Sequence, residues 1–208
     1  MNDTEIEIKL DLVDRGNYLK LLDHFDEGYH PRLQKNHFFD SADRALGQRQ
    51  LALRVRIEED RAFLTIKGPA SKTADGVTTR PEVETGIAMS FARYYIENGI
   101  CPKDLPSAFR RLLTGLPDDL HLSVFICFDN QRTSVVYTDS GLTLELELDR
   151  TEFADGTEDY ELEVELSQRD MAFRALPVIH RLMNMLEIPI IPQMEGKFSR
   201  ALKRKPSA

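Results

Sequence analysis

The most regular feature of the chain is an alternation of apolar and charged residues. Ile6, Ile8 and Leu10 interleave with Glu5, Glu7 and Lys9, the two-residue period of a strand with one apolar face. The same period returns where Leu53, Val55 and Ile57 interleave with Arg54 and Arg56, and where Lys67 lies opposite Leu64 and Ile66. It returns again in the triplets Arg80, Glu82, Glu84; Glu145, Glu147, Asp149; and Glu161, Glu163, Glu165. The pattern predicts strands at 4–11, 34–39, 80–87, 122–138, 142–153 and 159–167, with a hairpin of 51–59 and 61–68 turning at Glu59-Asp60. Residues 68–79 read as a polar loop leading into the strand at Arg80.

Between these strands the period changes. Tyr18, Leu21, Leu22 and Phe25 keep the spacing of one helix face. Ser90 reads as the N-cap of a helix ending at Asn98-Gly99, and Pro106 as the start of a short helix presenting Phe109, Leu112 and Leu113. Ala172, Leu176, Ile179, Met183 and Leu186 keep helical spacing after an Asp170 cap, and Pro177 inside that run is expected to kink or break the helix. The expected architecture is therefore α+β, with strands over about 4–87 and 120–167, a helical insertion over about 90–118 and C-terminal helices over about 170–203. A single domain over 1–208 is expected, and about eight antiparallel strands favour closure into a barrel, which removes sheet edges.

The polar faces are unusual. A solvated sheet face is the ordinary reading of any one strand, but these faces repeat charge at alternate positions and sort it by sign. If the closed sheet turned them inward, carboxylates and cations would share a confined lumen, costly without a ligand that satisfies both signs. Glutamate oxygens suit a hard divalent ion such as Mg²⁺ or Mn²⁺. Arginine and lysine suit phosphate oxygens, so a metal-bridged polyphosphate meets both requirements.

Composition narrows the remaining classes. Of 208 residues, 35 are acidic and 27 basic, a formal charge of -8, so nucleic acid is not expected as a partner. The N-terminus carries no leader pattern, and the chain holds no apolar run of roughly 18 residues that would span a membrane; a cytoplasmic location is expected. Cys101 and Cys127 lack metal or redox spacing and read as two buried thiols, and the five histidines form no zinc pair.

With these residues in order, the chain resembles the CYTH superfamily, the triphosphate tunnel metalloenzymes. The resemblance is carried by the opening ExExK of Glu5, Glu7 and Lys9, "NHFFDS" at 36–41, "LRVR" at 53–56, "TIKG" at 65–68 and "RPEVE" at 80–84. Arg132, "ELEVEL" at 161–166 and Lys197 in "EGKFSRAL" complete it. It implies an eight-stranded antiparallel barrel forming a tunnel that binds a small-molecule triphosphate and Mg²⁺ or Mn²⁺. By the same resemblance Glu5, Glu7 and Glu165 look like metal ligands. Lys9, Arg54, Arg56, Lys67, Arg80, Arg132 and Lys197 look like phosphate contacts, Glu163 and Glu161 like residues that support the metal ligands or orient a metal-bound water, and Glu82, Glu84 and Glu147 like supporting carboxylates. Catalysis would rest on Glu5, Glu7, Lys9, Glu163 and Glu165. Inorganic triphosphate is the expected substrate, with a class IV adenylyl cyclase, a thiamine triphosphatase or a non-catalytic polyphosphate- or nucleotide-binding module as the alternatives. No aromatic cluster is assigned to hold an organic group, and self-association into a homodimer is left open.

Overall fold

The computed structural model describes residues 4–25 and 30–205. In chain order the strands are β1 (Thr4–Asp11), β2 (Arg32–Asp40), β3 (Ala52–Glu58), β4 (Arg61–Lys67), β5 (Ser71–Lys72), β6 (Val77–Ile87), β7 (Ser123–Asp139), β8 (Leu142–Glu152), β9 (Glu158–Glu165) and β10 (Ile191–Pro192). The helices are α1 (Arg15–His24), α2 (Met89–Asn98), α3 (Ser107–Leu112), α4 (Ala172–Met185) and α5 (Lys197–Lys203). Eight long strands follow one another as β1-β9-β8-β7-β2-β3-β4-β6, and β6 pairs back onto β1, closing an antiparallel barrel. The two-residue strands β5 and β10 add to β6 and β1.

The apolar faces point outward. Ile8, Leu10, Leu146, Leu148, Leu162 and Val164 pack under α1 and α4 through Tyr18, Leu21, Ile179 and Met183. On the opposite side Leu53, Val55, Leu64 and Ile66 pack under α2 and α3 through Ala92 and Phe109. Each such side chain, fully buried, stabilises the fold by about 1.5–3 kcal/mol, so the helical cladding holds the apolar faces outside and leaves the charged faces inside. A third cluster, Phe38, Ile126, Phe128 and Phe153, packs against Phe198, Ala201 and Leu202 of α5. There the register of β2 on β7 shifts between Phe38 and Phe39, whose partners are Ile126 and Val124. The skipped Phe125 turns its ring between the Arg44 guanidinium at 3.9 Å and the Lys205 ammonium at 3.8 Å.

Several local expectations change. β6 begins at Val77 rather than Arg80, because Thr78 and Thr79 of the apparent loop already pair with Glu7 and Ile6. The position before α2 is Ala88, with no side-chain cap, and Ser90 lies inside the helix. Asp170 falls in a 3₁₀ turn at Arg169–Met171 rather than capping α4. Pro177 does not end α4, which runs through it to Met185. The carbonyl it frees belongs to Phe173, which is 83% exposed, so water can serve it, while buried Ala175, Val178, Ile179, Leu182 and Met183 hold the other face. The two cysteines are free but not buried: Cys101 is half-buried and Cys127 is exposed on β7.

Candidate active site in the barrel lumen

The charged residues converge. Glu5, Glu7, Lys9, Arg54, Arg56, Lys67, Arg80, Glu82, Glu84, Arg132, Glu147, Glu163, Glu165 and Lys197 all line one cavity of about 1130 Å³ inside the barrel. Antiparallel register does this: Glu5 lies opposite Arg80 and Glu7 opposite Thr78 on β6, while Glu7 lies opposite Glu165 and Lys9 opposite Glu163 on β9. Glu161 is 1% exposed and sits behind Lys197 and Arg200 rather than on the cavity surface. Glu145 is exposed on the β7–β8 hairpin.

The carboxylates divide into satisfied and unsatisfied groups. Glu163 accepts from Lys9 at 2.6 Å and Lys197 at 2.9 Å and pairs with Arg132. Burial would raise its pKa, but Lys197, Lys9 and Arg132 outweigh it and hold the carboxyl well below the usual range. Glu5, between Lys67 at 2.8 Å and Arg80 at 2.5 Å, is likewise held low against its burial. Glu7 behaves differently. Its nearest cation is Lys9 at 3.2 Å, its Oε1 has no hydrogen-bond partner, and burial pushes its carboxyl up to about 7. Glu165, exposed at the end of β9, is raised as well, by partial desolvation first and then by the negative charge of Glu5. Glu82 and Glu147 are also raised by burial.

The cationic wall is similarly uneven. Arg54 and Arg56 share one acid, Glu84, at 3.3 and 3.1 Å. Burial, with Arg56 beside it, pushes Arg54 down to about 10. The Nε atoms of both arginines are buried without a hydrogen-bond partner. Arg132, by contrast, is bound by Asp149, Glu147 and Glu163, and Lys197 by Asp149 at 2.8 Å, Glu163 at 2.9 Å and Glu161.

Some of the charged interior was given no role by the sequence reading. Asp149, fully buried, is the main partner of Arg132, and Arg132 with Lys197 holds it at about 2 against its burial. Its carboxylate lies with those of Glu161 and Glu163 in a group whose oxygens fall within 4.8 Å of one another, but the Lys197 ammonium already sits among them. Glu58, 2% exposed, collects Arg32 at 3.4 Å, Arg61 at 2.8 Å and the Gln34 amide at 3.1 Å. Asn130 links Gln34 to Asp149, donating to each at 3.0 Å. Parity had already placed Asp149 on a charged face without assigning it a role, and Glu58 shares the face of Arg54 and Arg56, so parity could have found it; Gln34 and Asn130 are uncharged and drew no notice. At the α5 end, Phe38, Phe128 and Phe198 also line the cavity, with Phe38 stacked on Phe128 at 5.5 Å and on Phe198 at 4.7 Å. An aromatic cluster therefore does border the charged lumen.

A helix-clad barrel with both charge signs turned inward is unusual enough to be diagnostic, and the sequence matches the CYTH domain over residues 3–192. This chain belongs to the CYTH domain family. Its fold is shared with HpAC1 from Hippeastrum, described as a candidate adenylyl cyclase revealing a dominant triphosphatase activity, at 26% identity and a TM-score of 0.84 over 98% of this chain and 97% of that one. A candidate adenylate cyclase from Bacillus halodurans matches at 25% identity and a TM-score of 0.71, over 95% of this chain and 98% of that one. PH1819 of Pyrococcus horikoshii, at 18% identity and a TM-score of 0.62 over 97% and 99% of the two chains, shares the fold. No curated protein matches the sequence. Among the described residues, no helix of this CYTH domain is long and apolar enough to cross a membrane.

Proposed function

We propose that this CYTH domain is a divalent-metal-dependent triphosphatase, with inorganic triphosphate as substrate. One observation carries the reading: the lumen leaves buried donors without a hydrogen bond on its basic wall, at Arg54 and Arg56 Nε, and a buried acceptor without one at Glu7 Oε1, whose nearest cation besides Lys9 is Arg80 at 3.6 Å. Buried polar groups are rarely orphaned, and a polyanion with a bound cation supplies both missing partners. The relatives point the same way, since HpAC1 is described by its dominant triphosphatase activity.

The oxygen-only set of Glu5, Glu7 and Glu165, with one orphaned carboxylate oxygen, fits a hard ion such as Mg²⁺ or Mn²⁺. Such an ion would supply Lewis acidity at a phosphoryl oxygen or at water. The protein's part is positioning and charge stabilisation, the main requirements of phosphoryl transfer. Arg54 and Arg56 would turn their free donors to the phosphate chain. Lys9, Lys67, Arg80, Arg132 and Lys197 would exchange part of their carboxylate contacts for phosphate oxygens, with Glu82, Glu84, Glu147 and Glu161 keeping their heads in place. Glu163 would orient the attacking water. Strong pairing within the protein tunes this exchange: cations already held by carboxylates are pre-aimed, so less side-chain entropy is lost on binding.

A second reading, adenylyl cyclase chemistry on ATP, is favoured by the stacked Phe38, Phe128 and Phe198 at one end of the cavity, a surface a base could use. Inorganic triphosphate, thiamine triphosphate, ATP and GTP, each assayed with Mg²⁺ and Mn²⁺ for phosphate, pyrophosphate and cyclic nucleotide, separate the readings. Orthophosphate released fastest from inorganic triphosphate is the expected result. Pyrophosphate with cyclic AMP from ATP would replace the triphosphatase by the cyclase, and binding without turnover of any of them would make the domain a binding module.

A further inference from the structure

Thr78 faces the lumen from β6, two residues before Arg80, and is 2% exposed. It lies opposite Glu7 on β1, and directly opposed residues of an antiparallel pair hold their Cβ atoms roughly 4.5–5.5 Å apart. Its hydroxyl has no hydrogen-bond partner, and neither has Glu7 Oε1; both residues line the cavity. Two buried oxygens, orphaned at one rung of the barrel, share one deficit. The neighbouring cations make no hydrogen bond to either: Lys9 binds the other Glu7 oxygen at 3.2 Å, Arg80 stays 3.6 Å from Glu7 Oε1, an ion-pair contact without a hydrogen bond, and Lys72, paired with Thr78 across β5, gives its ammonium to the Met194 carbonyl.

We infer that Thr78 belongs to the cation site, its hydroxyl oxygen standing beside Glu7 Oε1 as a second oxygen donor to a hydrated divalent ion. Threonine suits the role. It is a good strand former, so it does not disturb the β1–β6 seam, and its hydroxyl can accept from a metal-bound water or face the ion itself while donating its proton elsewhere. A hydroxyl kept for packing or stability would be expected to have a partner in the folded chain; this one is left open at the place where an ion is needed.

The inference rests on the cation site of the proposed function, and its test is read on the metal alone. Mn²⁺ is titrated into the full chain without any triphosphate, by calorimetry and by the loss of free-ion paramagnetic resonance signal, for wild type, Thr78→Val, Thr78→Ser and Glu7→Gln. Thr78→Val should weaken Mn²⁺ binding about tenfold, the scale of losing a supporting metal-site contact. Thr78→Ser, which keeps the hydroxyl, should bind within about twofold of wild type. In the metal-free protein, Thr78→Val should melt at or above the wild-type temperature, since valine removes an unpaired buried polar group. Wild-type Mn²⁺ affinity in Thr78→Val, or equal weakening in the serine and valine variants, would overturn the role of Thr78. If Glu7→Gln loses Mn²⁺ while Thr78→Val does not, the cation site stands and only Thr78 leaves it. A wild-type chain that binds no Mn²⁺ would remove the site and Thr78 with it.

Discussion

Glu7 and Glu163 are neighbours on adjacent strands, both turned into the lumen and nearly equally buried, at 4% and 5% exposure. Their protonation nevertheless moves in opposite directions, Glu163 held well below the usual carboxylate range and Glu7 pushed up to about 7. Burial penalises both charges, so the difference lies in partners. Three cations, Lys197, Lys9 and Arg132, surround Glu163, whereas Glu7 has Lys9 at 3.2 Å and only a distant Arg80 at 3.6 Å. One acid is thus held by three cations, and the other is left short of positive charge. The comparison separates a carboxylate saturated by cations from one that is not, a distinction that burial alone would hide.

The largest effect expected from breaking this comparison is on stability. Glu163→Ala removes a shared partner of Lys9, Arg132 and Lys197, and breaking a buried ion-pair network by removing one partner costs about 3–5 kcal/mol. Urea unfolding of the metal-free protein should show a loss of that order, while Glu7→Gln should stay within about 1 kcal/mol of wild type. Equal losses in the two variants would mean that the two carboxylates do the same work and that the contrast in their surroundings has no energetic meaning.

Catalysis should reverse the ranking for Glu7. Glu7→Gln keeps the size of the side chain but removes its charge, and turnover of triphosphate at saturating Mg²⁺ should fall about 100-fold or more while the thermal midpoint holds. Wild-type turnover in that variant would remove Glu7 from the site and leave its orphaned oxygen without a function.

How much of this was legible beforehand follows from what each feature depends on. The barrel was legible because its signal is periodic: Glu5-Ile6-Glu7-Ile8-Lys9 and Glu161-Leu162-Glu163-Val164-Glu165 each specify a strand and its two faces. Charge repeated on one face then suggested an inward-facing wall. The pairing of those charges was not legible, because it is set by register between strands distant in sequence. Nothing local distinguishes Glu7 from Glu163; the difference arises where β7 brings Arg132, and α5 brings Lys197, against β9. Thr78 was hidden for the opposite reason, since "GVTT" looks like loop until its pairing with β1 is known. Pro177 shows a local rule losing to context, its helix being held together by the buried face of α4.

The finest test of the Glu7–Glu163 contrast is the pH dependence of metal binding. A carboxyl raised to about 7 carries its proton below that pH, and an ion that needs the carboxylate must displace it. Affinity for Mn²⁺ should therefore rise with pH by up to about tenfold per unit below 7 and level off above it. Glu5 and Glu163 are held low and stay ionised throughout, Lys9 and Arg80 are held above their usual values and stay charged, and Glu82 and Glu147, raised by burial, shift the dependence in the same direction as Glu7. Glu165, raised by burial and by Glu5, adds to the slope in the same direction. Calorimetric titrations at pH 6 and pH 8, each in two buffers of different ionisation enthalpy, should show weaker binding and close to one released proton at pH 6, and little release at pH 8. Glu7→Gln should flatten that dependence. A slope that survives in this variant would assign the displaced proton to Glu165 instead and place the least satisfied acid at the end of β9.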